Sequence, residues 1–122
     1  MTRRELGQRS ERTAEDFLQR QRYAILARNY RCGLGEIDLI AQDRDVIVFV
    51  EVRSHTGERF GDPLESITFR KQRQIAKAAL DYVMRQRVED RPFRFDVIGI
   101  LWDGDTPRIS HVKNAFDCPI VI

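Results

Sequence analysis

The sequence predicts a mixed α/β fold, a β-sheet flanked by helices in the order αβββαββ, and three observations predict it. Two long segments carry apolar residues at helical spacing, five shorter segments read as strands, and the two kinds of segment interleave rather than cluster. At 122 residues, the chain is expected to form one domain spanning 1–122, large enough for a real core and too short for two.

The first helix is expected over residues 4–21, where Leu6, Ala14, Phe17 and Leu18 fall on one face and Glu11 lies on the edge of that face. A first strand over residues 23–31 follows, and Cys32-Gly-Leu-Gly35 reads as a turn. Two strands, Gly35-Glu-Ile-Asp-Leu-Ile-Ala41 and Val46-Ile-Val-Phe-Val-Glu-Val-Arg53, form a hairpin about Asp43-Arg44-Asp45. Residues 54–63, with Gly57, Gly61 and Pro63 among polar side chains, mark a loop. The second helix is expected from Pro63 or Leu64 to about Arg87, with Ile75, Ala79, Tyr82 and Val83 buried. Residues 93–101 and 109–112 read as the last two strands, separated by Asp103-Gly104-Asp105.

The hairpin carries the chemistry. A carboxylate on a buried sheet face is unstable unless something neutralises it, yet both strands place acids inside apolar runs. Period-two alternation puts Glu36, Asp38 and Ile40 on one face, and Phe49, Glu51 and Arg53 on one face of the next strand. A register symmetric about the turn opposes Ala41 to Val48, Asp38 to Glu51 and Glu36 to Arg53. Like charges directly opposite destabilise a sheet, so a cation between them is the natural resolution. Two carboxylates and a cation supply what metal-assisted phosphodiester hydrolysis needs: oxygen ligands for Mg²⁺, and an arginine for a phosphate oxygen. Spacing alone leaves a second reading open, in which Glu36 and Arg53 form a cross-strand ion pair and the other carboxylates face solvent.

Composition neither selects nor excludes a nucleic-acid partner. The net charge is +2, from 21 basic and 19 acidic side chains. Local distribution is more informative: Arg70, Lys71, Arg73, Lys77, Arg85 and Arg87 face Asp81 alone over the second helix. Such a run suits a phosphate-lined channel or a solvated face, and Lys71 is the first choice for a phosphate contact. Cys32 and Cys118 lack metal-ligand spacing, no secretion-type N-terminus is evident, and no apolar run is long enough to span a bilayer. These features imply a cytoplasmic protein with no membrane partner.

The ordered motifs Gly7-x-x-x-Glu11-x-x-Ala14-x-x-x-Leu18, Tyr23-x-Ile25-Leu26-x-Arg28-Asn29, Gly35-Glu-Ile-Asp-Leu-Ile-Ala41, Val48-Phe-Val-Glu-Val-Arg53, Lys71, Arg94-Phe-Asp-Val97 and Asn114-Ala-Phe116 cover nearly the whole chain. Together they resemble the YraN-like family of uncharacterised bacterial proteins, which in turn resembles the restriction-endonuclease-like superfamily, archaeal Holliday-junction resolvases included. That resemblance implies a restriction-endonuclease-like mixed sheet flanked by helices. It also implies a metal-dependent endodeoxyribonuclease acting on DNA, branched DNA included, with Mg²⁺ or Mn²⁺ as cofactor. The superfamily's acidic residue, Asp, and Glu-x-Lys elements fall on Glu11, Asp38 and Glu51-Val52-Arg53. Asp38 and Glu51 would bind metal, Glu11 would assist, and Arg53 and Lys71 would contact substrate. By analogy with the resolvases a homodimer is implied, because two symmetric nicks need two sites.

One departure stands out. The nuclease pattern usually ends in lysine, whereas position 53 is arginine, which stays protonated in proteins and cannot act as a general base. The alternative function is therefore a catalytically inactive nuclease frame that binds nucleic acid or protein. A third is a scaffold dimerising through the apolar tail, residues 115–122. Asp96 reads as structural, Glu36 as the partner of Arg53, and His55 as a loop residue that only a continued strand would bring to the Arg53 face.

Overall fold

The computed structural model describes residues 1–56 and 67–120. The elements follow the expected order: α1 (Arg3–Arg20), β1 (Ala24–Cys32), β2 (Gly35–Asp43), β3 (Val46–Thr56), α2 (Phe69–Gln86), β4 (Phe93–Asp103) and β5 (Thr106–Phe116). The five strands form one mixed sheet in the order β1-β2-β3-β4-β5. Among the described strands only β3 and β4 run parallel, and α2 lies in the crossover that a parallel pair requires. The helices cover opposite faces. Ala14 and Leu18 of α1 pack on Leu39, Ala41, Val48, Val50 and Ile98. On the other side, Ile75, Ala76, Ala79 and Tyr82 of α2 pack on Ile37, Ile40, Phe49 and Phe95.

Local chemistry explains the ends of the helices. Thr2 caps α1, accepting the Glu5 N–H at 3.1 Å. Thr68, extended at φ −65° and ψ 161°, caps α2 by accepting the Lys71 N–H at 3.1 Å, and Arg87 closes that helix in the left-handed region. The expected start of α2 at Pro63 or Leu64 is thus corrected to Phe69. Residues 63–66 lie outside the described residues, and Ile67 and Thr68 precede the helix.

The strands are longer than their apolar cores. Residues 54–56, expected as loop, belong to β3, because Ser54, His55 and Thr56 pair in register with Ile100, Leu101 and Trp102. His55 is therefore a strand residue. The remaining loop residues, 57–63, lie outside the described residues. β5 extends beyond residues 109–112 at both ends; as an edge strand it exposes Thr106, Pro107, Arg108, Lys113 and Asn114, which mutes its apolar signal. Of the tail, described as far as Ile120, Phe116 ends β5, and Phe116, Cys118 and Ile120 pack against the α2-side core.

Candidate metal and phosphate site

Strict alternation breaks where the site forms. The β2–β3 ladder has the expected symmetric register, Ala41 opposite Val48, and runs from Asp43 and Val46 to Leu39 and Val50. Beyond that pair the strands part. Ile37 packs on the α2 side but Leu39, two residues on, packs on the α1 side, so the chain turns over at Asp38. Across from Asp38 on β1, Asn29 adopts φ 48°, a conformation that asparagine tolerates better than most residues. The expectation that Glu36, Asp38 and Ile40 share one face is corrected accordingly: Ile40 joins the α2-side core, whereas Glu36 lines a cleft with Gly7 and Glu11 of α1.

This irregularity frees Asp38 to bridge the parted strands. One of its carboxylate oxygens accepts the Val52 N–H at 2.8 Å, taking up a donor beyond the last ladder pair. The Asp38 carboxylate stands close enough to Glu51 to disfavour its ionisation. Glu51 is 6% exposed. Burial, chiefly, and the charge of Asp38 push its carboxyl from the ordinary 4.5 up to about 8; Lys71 and Arg53 pull the other way but do not win. Arg53 lies 3.2 Å from Glu51, and the Lys71 ammonium reaches it at 3.8 Å from the first turn of α2. Among the described residues the buried Arg53 Nε has no hydrogen-bond partner, a guanidinium donor left over inside the site.

The structure corrects one pairing. Glu36 bonds Arg31 on the neighbouring β1 at 3.2 Å, while Arg53 turns to Glu51 on its own strand. The parting of β2 and β3 explains this, since the Glu36 and Arg53 positions fall beyond the ladder. Glu11 approaches from α1 and lines two clefts of about 480 and 530 Å³. Burial and the nearby Asp38 raise its pKa, a hydrogen bond with Asn29 opposes them, and Glu36 and Arg31 add smaller opposed contributions. Asp38 and Glu51 are the residues that could hold an ion. Among the described residues no three His, Cys, Asp or Glu side chains converge closely enough to do so by themselves. Two carboxylates suit Mg²⁺, which keeps several waters.

Sequence reasoning missed two positions that shape the site. Asn29 stands in the Tyr23-x-Ile25-Leu26-x-Arg28-Asn29 motif, but nothing in its residue type or spacing ties it to Asp38. Gly35 sits where α2 touches the sheet: a Cβ there would lie 2.7 Å from the Gln74 carbonyl oxygen. Its glycine permits the close approach that carries Lys71 to Glu51.

Asp96 is separate and structural, as expected. At 1% exposure it accepts from Arg94 Nε at 3.0 Å, Arg94 Nη2 at 3.3 Å and the Asn114 N–H at 3.0 Å, and it meets His111 Nε2 at 2.7 Å. Burial raises its pKa, but His111, Arg94 and the Asn114 N–H outweigh burial and the net shift is downward.

The architecture and the acid pair at the strand opening define a mixed α/β protein with a built polar site. Residues 10–100 match the family described as Uncharacterised protein family UPF0102, and the chain belongs to that family. It is 49% identical over 112 residues to the UPF0102 protein of Geobacter metallireducens, covering 92% of each chain. It is 42% identical over 118 residues to that of Caldicellulosiruptor saccharolyticus, covering 95% of this chain and 100% of the other. With the Myxococcus xanthus UPF0102 protein it shares 41% identity over 115 residues, 94% of this chain and 91% of that one. No helix among the described residues is long and apolar enough to cross a membrane.

Proposed function

We propose that this protein is a metal-dependent nuclease acting on DNA, branched DNA included. The observation that carries this reading is the Asp38–Glu51 carboxyl pair, set beside Arg53 and Lys71 at the opening between β2 and β3. A buried carboxyl whose ionisation is opposed by burial and by a second acid gains from a divalent cation shared between the two. Asp38 and Glu51 would hold Mg²⁺ or Mn²⁺, which would lower the pKa of a water and neutralise charge developing on the phosphate. Glu11, facing Asp38 across the α1 cleft, would add negative charge on the far side. Arg53, with its spare Nε donor, would clamp a phosphate oxygen, and Lys71 would offset the substrate charge. Arg53 cannot take a proton, so it positions and stabilises. A homodimer would pair two such sites for symmetric nicks, and a nucleic-acid substrate together with free thiols at Cys32 and Cys118 suits the cytoplasm.

A second reading, a nuclease frame that binds without cutting, is favoured by arginine at position 53, where a proton acceptor would be expected. One panel separates the two. Duplex, single-stranded and four-way-junction DNA are incubated with Mg²⁺ or Mn²⁺; the nuclease reading expects cleavage of at least one substrate, lost in Asp38→Ala. Intact substrates throughout, with salt-dependent binding retained, would favour the silent frame.

A further inference from the structure

A single exposed hydrophobe is ordinary on a protein surface, but Phe69 has three features that set it apart. Its ring is 61% exposed on the first turn of α2, a turn fixed by the Thr68 cap. The Arg73 guanidinium lies over the ring at 6.0 Å from the centroid. Phe69, Arg73 and Lys77 are all exposed and four residues apart, so they form one row along the solvent side of the helix, spaced about 6 Å per step. Lys71, two residues on and so roughly 200° around the helix from Phe69, points to the other side, where its ammonium lies 3.8 Å from Glu51. Lys71 in turn lines a cleft of about 440 Å³ with Arg31, Leu34 and Gln74, and Leu34 is itself 57% exposed there.

An aromatic face followed by cations in register is the combination by which proteins hold single-stranded nucleic acid, bases stacking on rings while the backbone follows positive charge. Duplex bases are already stacked on each other and offer no free face to a ring on a helix surface. We infer that Phe69 is a stacking platform for an unpaired nucleobase on the outer side of α2, with Arg73 and Lys77 following the backbone along that same face. The inference rests on the nucleic-acid reading above and narrows its substrate to strands with an unpaired base at the site.

The test uses the full chain in EDTA, so that binding is read without cleavage. Fluorescence anisotropy is measured with a labelled oligothymidylate and a blunt duplex of matched length. Phe69→Ala should weaken oligothymidylate binding by roughly 5- to 150-fold, the range of one lost base stack, and leave duplex affinity within about twofold; Phe69→Trp should restore it. Because Phe69 is exposed, the variant should melt with the wild type. Equal affinity of Phe69→Ala and wild type for oligothymidylate would overturn the inference, as would an equal loss on both ligands. Wild type that binds neither DNA would overturn it together with the nucleic-acid reading. Base-selective loss in a protein that cleaves nothing would uphold stacking and remove only catalysis.

Discussion

Glu51 and Asp96 are buried acids on adjoining strands, one step apart in register, since Asp96 pairs with Val50. They meet opposite fates. Asp96 is enclosed by Arg94, His111 and the Asn114 N–H, with Arg94 further anchored to Asp43 at 3.2 Å and to the Tyr23 hydroxyl at 2.7 Å. Its negative charge is fully answered from within the chain. Glu51 instead faces a second acid, and the cations near it stand at 3.2 and 3.8 Å with one guanidinium donor unused. A closed network holds a fold together, whereas an open one is completed by something that arrives. Burial alone does not distinguish the two acids; their partners do.

The largest effect should come from breaking the closed network. Asp96→Ala leaves Arg94 and His111 facing a buried void and should cost about 3–5 kcal/mol. Urea denaturation followed by Trp102, 4% exposed and bonded to Ser10, checks this; a loss below about 1 kcal/mol would mean that the network is not a structural anchor. Its pH dependence has a fixed sign. Because the folded Asp96 pKa is lowered, its stabilisation is present above the ordinary 3.8 and disappears as pH falls further.

The open site should show the reverse sign. Glu51 rises from 4.5 to about 8, so in EDTA its contribution is fully present below 4.5 and is lost as pH climbs towards 8. Glu51→Gln should flatten that slope and exceed wild type at pH 9 by on the order of a few kcal/mol. A wild-type stability that holds level across this window would remove the distinction between the two acids.

Smaller effects test the supports. Gly35→Ala forces a Cβ against the Gln74 carbonyl oxygen and should cost about 1–3 kcal/mol, whereas Gly33→Ala, with nothing within 4 Å, should cost far less. Comparable melting temperatures for the two variants would show that α2 does not depend on the close approach. Thr68→Ala should cost about 1 kcal/mol through loss of the cap to Lys71, read in the same denaturation experiment.

Much of this was legible in the chain. Helical periodicity marked Ala14, Leu18, Ile75 and Ala79 as core, and the symmetry of the hairpin about Asp43-Arg44-Asp45 placed Ala41 against Val48. Legibility failed where local pattern yields to tertiary contact. Alternation could not anticipate the turnover at Asp38, which coincides with a left-handed Asn29 across from it on another strand. Glu36 found Arg31 because the parting strands left Arg53 to its own neighbour. Thr56 reads as loop chemistry until its parallel pairing with Trp102 is seen.

The central claim is that Asp38 and Glu51 form a divalent-cation site, and calorimetric titration with Mg²⁺ and Mn²⁺ tests it most directly. At pH 7 wild type should bind saturably and release roughly one proton, seen as a buffer-dependent heat, because Glu51 must ionise to ligate. Asp38→Ala should abolish the signal, and saturation at about 100 times the dissociation constant should raise wild-type stability by ~2.7 kcal/mol. Absence of saturable binding, or equal binding by Asp38→Ala, would contradict the account.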